Sequence, residues 1–156
     1  MKFSDFIVFA AIRPDLKAED KEGVIKELVG ALAEASAVRV EDQKGIVNAV
    51  IKREELGSTG IGRGVAVPHT KHPGVDRLIG TVGLSRNGVD FNSLDGEKVQ
   101  IFIILISPPD RPGEHLRALE NISRKLRIDT FCRFLRQAKT AEEIKQLLDE
   151  ADNNQF

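Results

Sequence analysis

Between Leu16 and Ala37 the apolar residues Val24, Leu28 and Leu32 recur every four positions with Ile25 and Val29 beside them, which predicts an amphipathic helix with one apolar stripe. Glu41 to Leu56 predicts a second, through Ile46, Val47, Val50 and Ile51, with Gly57 placed for a left-handed C-terminal cap. The period then vanishes: Gly57-Ser58-Thr59-Gly60-Ile61-Gly62-Arg63-Gly64 holds four glycines in eight residues and reads as a loop. Val65-Ala66-Val67 is a short β-prone run that Pro68 ends just before His69, since proline cannot donate to a ladder. Leu78 to Ser85 reads as a strand, Asn87-Gly88 as a hairpin turn into Val89 and Phe91, and Asp95-Gly96 as a second turn. Val99 to Ile106 is apolar on both faces apart from Gln100, as suits a strand in the middle of a sheet. Beyond the proline-rich segment 107–113 the helical period returns, with Leu116, Leu119, Ile122 and Leu126 on one side. Asp129 is placed to cap a helix holding Phe131, Phe134 and Leu135, and Thr140 with Glu143 forms a capping box for a last helix through Leu148. This order, with no linker, repeat or low-complexity tract, predicts one mixed α/β domain, a sheet covered by helices.

The apolar run Phe6 to Ala11 follows Met1-Lys2 in the manner of a signal peptide. It is too short for a secretory core and ends at Arg13-Pro14 with no small-residue cleavage pattern, so it is assigned to the domain. No stretch approaches the roughly 20 apolar residues of a membrane span. A length of 156 residues suits one soluble domain with a single core. The balance of 23 Lys+Arg against 24 Asp+Glu leaves a net charge of −1, which argues against nucleic acid or an anionic membrane as partner. Cys132 is the single cysteine, which excludes a disulfide framework and a thiolate zinc site and makes a reducing cytoplasm the expected compartment. With no Trp or Tyr and only eight Phe, a base-stacking platform is also unexpected. A cytosolic enzyme or a protein-binding module remains, with His69, His72 and His115 to carry proton or phosphoryl chemistry.

A nucleophilic or phosphoryl-accepting histidine needs an exposed neutral imidazole, an anion-tolerant surround and a fixed ring. His69 stands at the end of a short strand beside the glycine-rich loop, whose backbone N–H groups can meet phosphate oxygens. Arg53 and Arg63 can add charge-assisted bonds, and His115, at a helix start, can donate to a phosphoryl group on His69. The same residues fit a solvated loop histidine equally well. A zinc site of His69, His72 and His115 is disfavoured, because His-x-x-His lies in a proline-containing loop and no helical His-Glu-x-x-His occurs. The loop lacks a Gly-Lys-Ser/Thr ending, and Gly60-x-Gly62-x-Gly64 does not have the dinucleotide spacing. Cys132 reads as a buried core thiol. The mixed charges of Arg117, Glu120, Arg124, Lys125 and Arg127 read as a solvated helix face on which Arg124 and Arg127 could help dock an acidic partner.

The stretch from Arg53-Glu54-Glu55-Leu56-Gly57-Ser58-Thr59-Gly60-Ile61-Gly62 to Val65-Ala66-Val67-Pro68-His69 resembles the signature of the enzyme IIA component of the bacterial phosphotransferase system, fructose/mannitol type (type 2). Pro109 through His115-Leu116 is similar to the downstream Pro-x-x-x-x-x-His-Leu pattern. Thr130 to Arg136 and Thr140-Ala141-Glu142-Glu143 resemble the nitrogen-regulatory branch.

The resemblance spans nearly the whole chain. It implies one type-2 EIIA domain over residues 1–156, an α/β fold with helices on both faces of a mixed sheet, as in the cytoplasmic domains of some anion transporters. It further implies a cytoplasmic phosphoryl carrier. His69 would accept the group from the phosphohistidine of the histidine-containing phosphocarrier protein, His115 would support it, and Arg53 would stabilise it. Ser58, Thr59, Gly60 and Thr70 would form the phosphate-binding loop. No metal or other cofactor is implied. Fructose and mannitol members pass the group to a IIB component. Nitrogen-regulatory members instead act on partner proteins, including potassium transporters and sensor kinases. The regulatory role is the expectation; a sugar-specific IIA subunit and a binding module that no longer turns over phosphate are the rivals. Thr70, where many relatives have glycine, and the extra His72 are departures from the pattern.

Overall fold

A computed structural model describes residues 1–156. The first helical stripe folds as α1 (Lys21–Glu34), shorter than its pattern because Asp20 caps it, accepting the Gly23 N–H at 2.7 Å. It is followed by α2 (Val40–Glu55). Gly57 has φ +153°, far from left-handed helical, so the expected cap does not form. Five strands come next: β1 (Gly60–Gly62), β2 (Val65–Ala66), β3 (His69–Lys71), β4 (Ile79–Val89) and β5 (Val99–Ser107). The glycine-rich stretch is therefore not irregular throughout. It supplies β1, which turns back antiparallel onto β2 through Arg63-Gly64, both at positive φ as a two-residue hairpin requires.

β5 pairs on both sides. β4 lies antiparallel along one edge, while β2 and β3 lie parallel along the other: Val65 beside Ile101, Ala66 beside Phe102, His69 beside Leu105, Lys71 beside Ser107. The offset is the same for β2 and β3, so Pro68 interrupts one line of chain rather than ending it. Its carbonyl still accepts the Leu105 N–H at 3.0 Å. Asn87-Gly88 is not the hairpin turn either: it lies within β4, where the pairing with β5 is irregular between Leu84 and Val89. The reversal falls later, around the predicted Asp95-Gly96 turn, with the Gly96 N–H on the Ser93 carbonyl at 3.0 Å.

The N-terminal segment closes the outer edge of β4, donating from the backbone of Val8, Arg13 and Leu16 to Gly80, Val82 and Leu84 at 2.8–2.9 Å. The apolar run Phe6 to Ala11 is thus part of the fold. Three helices complete it: α3 (Pro112–Lys125), α4 (Asp129–Gln137) and α5 (Ala141–Asp152). Alternation along β5 sends Ile101, Ile103 and Leu105 toward these helices, and Phe102, Ile104 and Ile106 toward α1 and α2. A mixed sheet with helices on both faces results.

Two helical details depart from the pattern. Leu116, read as part of the buried side of α3, is 65% exposed, and the side that turns inward carries His115, Ala118 and Ile122. Asp129 does not cap α4; its carboxylate pairs with Arg63 at 2.9 Å. Thr140 does cap α5, accepting the Glu143 N–H at 3.1 Å. Cys132 is buried, its thiol donating to the Leu126 carbonyl, and burial raises its pKa.

Gly80 is where β4 is squeezed between β5 and the N-terminal segment. Its N–H reaches the Phe6 carbonyl at 3.0 Å, and a Cβ there would run into the Ile104 carbonyl oxygen. The variant Gly80→Ala is expected to lose about 2 kcal/mol of stability in urea unfolding; an unchanged midpoint would contradict this packing.

Candidate functional site

β3 and β5 run parallel and end side by side, and the chain leaves β5 through Pro108 into α3. His69 and His115 therefore meet near the carboxyl ends of parallel strands, where open α/β sheets place ligands. Their ring centroids are 5.5 Å apart with the planes inclined at 57°.

Each ring is oriented through Nδ1. No backbone N–H reaches the carbonyl of Val67, the residue before Pro68, and this carbonyl takes the His69 Nδ1–H at 2.7 Å. A carbonyl only accepts, so the proton sits on Nδ1 and the Nε2 lone pair is free. Nδ1 of His115 is hydrogen-bonded to the hydroxyl of Ser107, the buried last residue of β5. Burial holds the pKa of His69 below the ordinary 6.5; the Val67 carbonyl opposes this, nearby Arg53 adds to it, and Glu54 opposes it. His115 is pushed down to about 4, chiefly by burial, then by the charges of His69 and Lys71. Both imidazoles are neutral at pH 7. Arg53, in the last turn of α2, is held by an Nη1–H bond to the Gly57 carbonyl at 2.8 Å.

Over residues 7–151 the sequence matches the family described as Phosphoenolpyruvate-dependent sugar phosphotransferase system, EIIA 2. The chain belongs to this family. A nitrogen regulatory protein of Bradyrhizobium diazoefficiens is 32% identical over 148 residues, 95% of each chain. The fructose-specific EIIABC component of the phosphotransferase system of Bacillus subtilis is 30% identical over 152 residues, which are 97% of this chain and 24% of that longer protein. The crystal structure of nitrogen regulatory protein IIA-Ntr from Neisseria meningitidis superposes with a TM-score of 0.84 at 29% identity, covering 94% of this chain and 98% of that one.

Within this EIIA fold two amides of the glycine-rich loop already have partners inside the protein. The Thr59 N–H lies 3.1 and 3.2 Å from the two oxygens of the buried Glu54 carboxylate, and the Thr59 hydroxyl also donates to Glu54. Lys21 completes the set at 2.9 Å. The Ser58 hydroxyl donates to the Phe91 carbonyl and accepts the Gly60 N–H at 3.0 Å. Thr59 is thus turned inward, because a buried carboxylate must find donors, while the Ser58 hydroxyl and the Gly60 N–H bond locally. Thr70 neighbours His69 along β3, so alternation turns its side chain to the other face, and its hydroxyl meets the Lys71 carbonyl at 3.3 Å. Arg63 is also directed elsewhere, bonding the Leu126 carbonyl and Asp129 at the α3–α4 junction, each at 2.9 Å. His72 packs over Gly45 of α2 and accepts the Gly74 N–H at 2.9 Å, outside the pair of rings.

Ser107 and Glu54 are the site residues that the sequence reading missed. Glu54 carries a signal, since Val47, Val50 and Glu54 continue one helical stripe inward. Ser107 has only its place as the polar end of a buried strand.

His115 has a native pKa below its unfolded one, so its stabilising contribution is complete above about pH 6.5 and is lost as pH falls toward 4. His69 is shifted the same way. Stability in urea is expected to drop by up to about 2 kcal/mol across that window, and His115→Gln to flatten the drop. A profile unaffected by His115→Gln would show that the histidine is not buried in its neutral form.

Proposed function

We propose that this EIIA protein is a phosphoryl carrier that accepts its group on Nε2 of His69 from the phosphohistidine of the histidine-containing phosphocarrier protein. The observation that carries this reading is the Nδ1–H bond of His69 to the Val67 carbonyl. It leaves one neutral, oriented nitrogen facing outward, with a second neutral imidazole 5.5 Å away by ring centroid. In the transfer the N–P bond to the donor imidazole breaks as the Nε2–P bond forms. Such a transition state is loose and spreads charge over the phosphoryl oxygens, so catalysis rests on positioning and on donors. In this reading the bond between Ser107 and Nδ1 of His115 is donated by the hydroxyl, which puts the ring proton on Nε2 for the phosphoryl group, and the N–H groups of Arg53 not held by Gly57 add a charge-assisted contact.

In this reading the phosphorylation state controls partner proteins in the cytoplasm, through regulated transporters or sensor kinases. The similarity to a nitrogen regulatory protein over 95% of both chains supports it. The second reading, donation to a IIB component in sugar uptake, draws on the fructose-specific relative.

Incubation with phosphoenolpyruvate, enzyme I and the carrier protein is expected to yield one acid-labile phosphoramidate signal by phosphorus NMR, absent from His69→Ala. Persistence of the signal in that variant would overturn the assignment. His115→Ala is expected to slow transfer roughly 10- to 100-fold with the circular dichroism spectrum retained. A pull-down comparing wild type, His69→Ala and His69→Glu separates the two readings: partners that differ with the charge at position 69 support regulation, and capture of a IIB component alone supports uptake.

A further inference from the structure

The cations already described around the two histidines and the loop are tied down. Arg53 is held by the Gly57 carbonyl, Lys21 by Glu54, and Arg63 by the α3–α4 junction. Lys71 is exposed, and its ammonium takes part in none of the ion pairs of the protein.

The sheet fixes where Lys71 sits. His69 pairs with Leu105 and Lys71 with Ser107 in parallel register, and paired residues of neighbouring strands point to the same face. Leu105 belongs to the core beneath α3, α4 and α5, and the Ser107 hydroxyl holds His115. His69, Lys71, Ser107 and His115 are therefore on one face, while Thr70 is on the other. Two residues along a strand span about 7 Å, a distance the four-carbon stem of lysine can recross. The charge of Lys71 is felt at the site, since it helps hold His115 below its ordinary pKa. An unpaired ammonium beside two imidazoles that burial keeps neutral has no counter-ion until an anion arrives.

We propose that Lys71 is the mobile counter-ion of the phosphoryl group on His69, folding over it once the group has arrived and favouring the phosphorylated form over the free one. This rests on the reading of His69 as the acceptor. Lys71 remains an ammonium throughout: the donor N–P bond breaks, the Nε2–P bond forms, and no proton passes to or from Lys71. Its contact exists only with the phosphoryl group in place, so it acts on the equilibrium of transfer and on the titration of the phosphoryl oxygens. Arg53 approaches from α2 and Lys71 from β3, which places one fixed and one mobile cation around the group.

The test compares wild type, Lys71→Gln and Lys71→Arg in the presence of phosphoenolpyruvate, enzyme I and the carrier protein. Two quantities are measured: the equilibrium constant of transfer from the phosphorylated carrier, and the pH midpoint of the phosphohistidine resonance by phosphorus NMR. Lys71→Gln is expected to shift the equilibrium about 5- to 10-fold toward the carrier, less at high salt, and to raise the pH midpoint by a few tenths of a unit. Lys71→Arg is expected to stay within about twofold of wild type, since only the charge is required. A Lys71→Gln protein that is phosphorylated with wild-type equilibrium and midpoint overturns this proposal alone. A shifted equilibrium with an unmoved midpoint, or a Lys71→Arg variant as impaired as Lys71→Gln, overturns it as well, by pointing to a structural role. If wild type takes no phosphoryl group at all, the His69 reading itself fails and this proposal with it.

Discussion

The nine residues Val99–Ser107 set the terms for most of the molecule. All but Gln100 are buried, and a strand buried on both faces must satisfy its backbone from both edges and its side chains from two separate apolar layers. β4 answers one edge and the interrupted line of β2 and β3 the other. The helices divide accordingly, α1 and α2 on one face and α3 to α5 on the other. The outer edge of β4 would then stand open, and the N-terminal segment covers it.

The site is a consequence of that strand. Its parallel register with β3 brings His69 and the end of β5 together, and its last residue, Ser107, orients His115. Desolvation leads the electrostatics: it is the first cause of the depressed pKa of both histidines, and for His115 the repulsion a charged His69 would exert adds to it. The bonds to Val67 and Ser107 then give each ring a fixed direction. Glu54 works from below. A buried carboxylate needs donors, and it takes them from Lys21 and from the backbone and hydroxyl of Thr59, shaping the loop from the inside.

Much of the fold was legible in the chain. The stripes of α1 and α2, the two-sided run of β5 and the Thr140 cap are local patterns; α2 and β5 match their predicted boundaries closely, while α1 is trimmed at both ends. Errors gathered where a local signal had a competing non-local partner. Asn87-Gly88 has the chemistry of a tight turn, yet β4 continues through it because Val89 still pairs with Val99. Pro68 should end a strand, yet β5 continues alongside and the register resumes at His69. Leu116 looks like a core residue by type and lies exposed beside the buried His115, because α3 turns another side inward. In the site, His69, His115 and Arg53 could be singled out. The inward role of Thr59 could not, since it depends on a carboxylate whose burial is a property of the packed helix.

The sequence by itself determined which segments are helical, which strand is central, and which histidines stand near a turn and a helix start, because periodicity and end signals act over a few neighbouring residues. Tertiary structure alone decided which nitrogen of His69 is free, that Ser107 holds His115, that the glycine-rich loop serves Glu54, and that Lys71 shares a face with both rings. Those facts depend on strand register and on exclusion of water, and both arise from contacts between positions tens of residues apart.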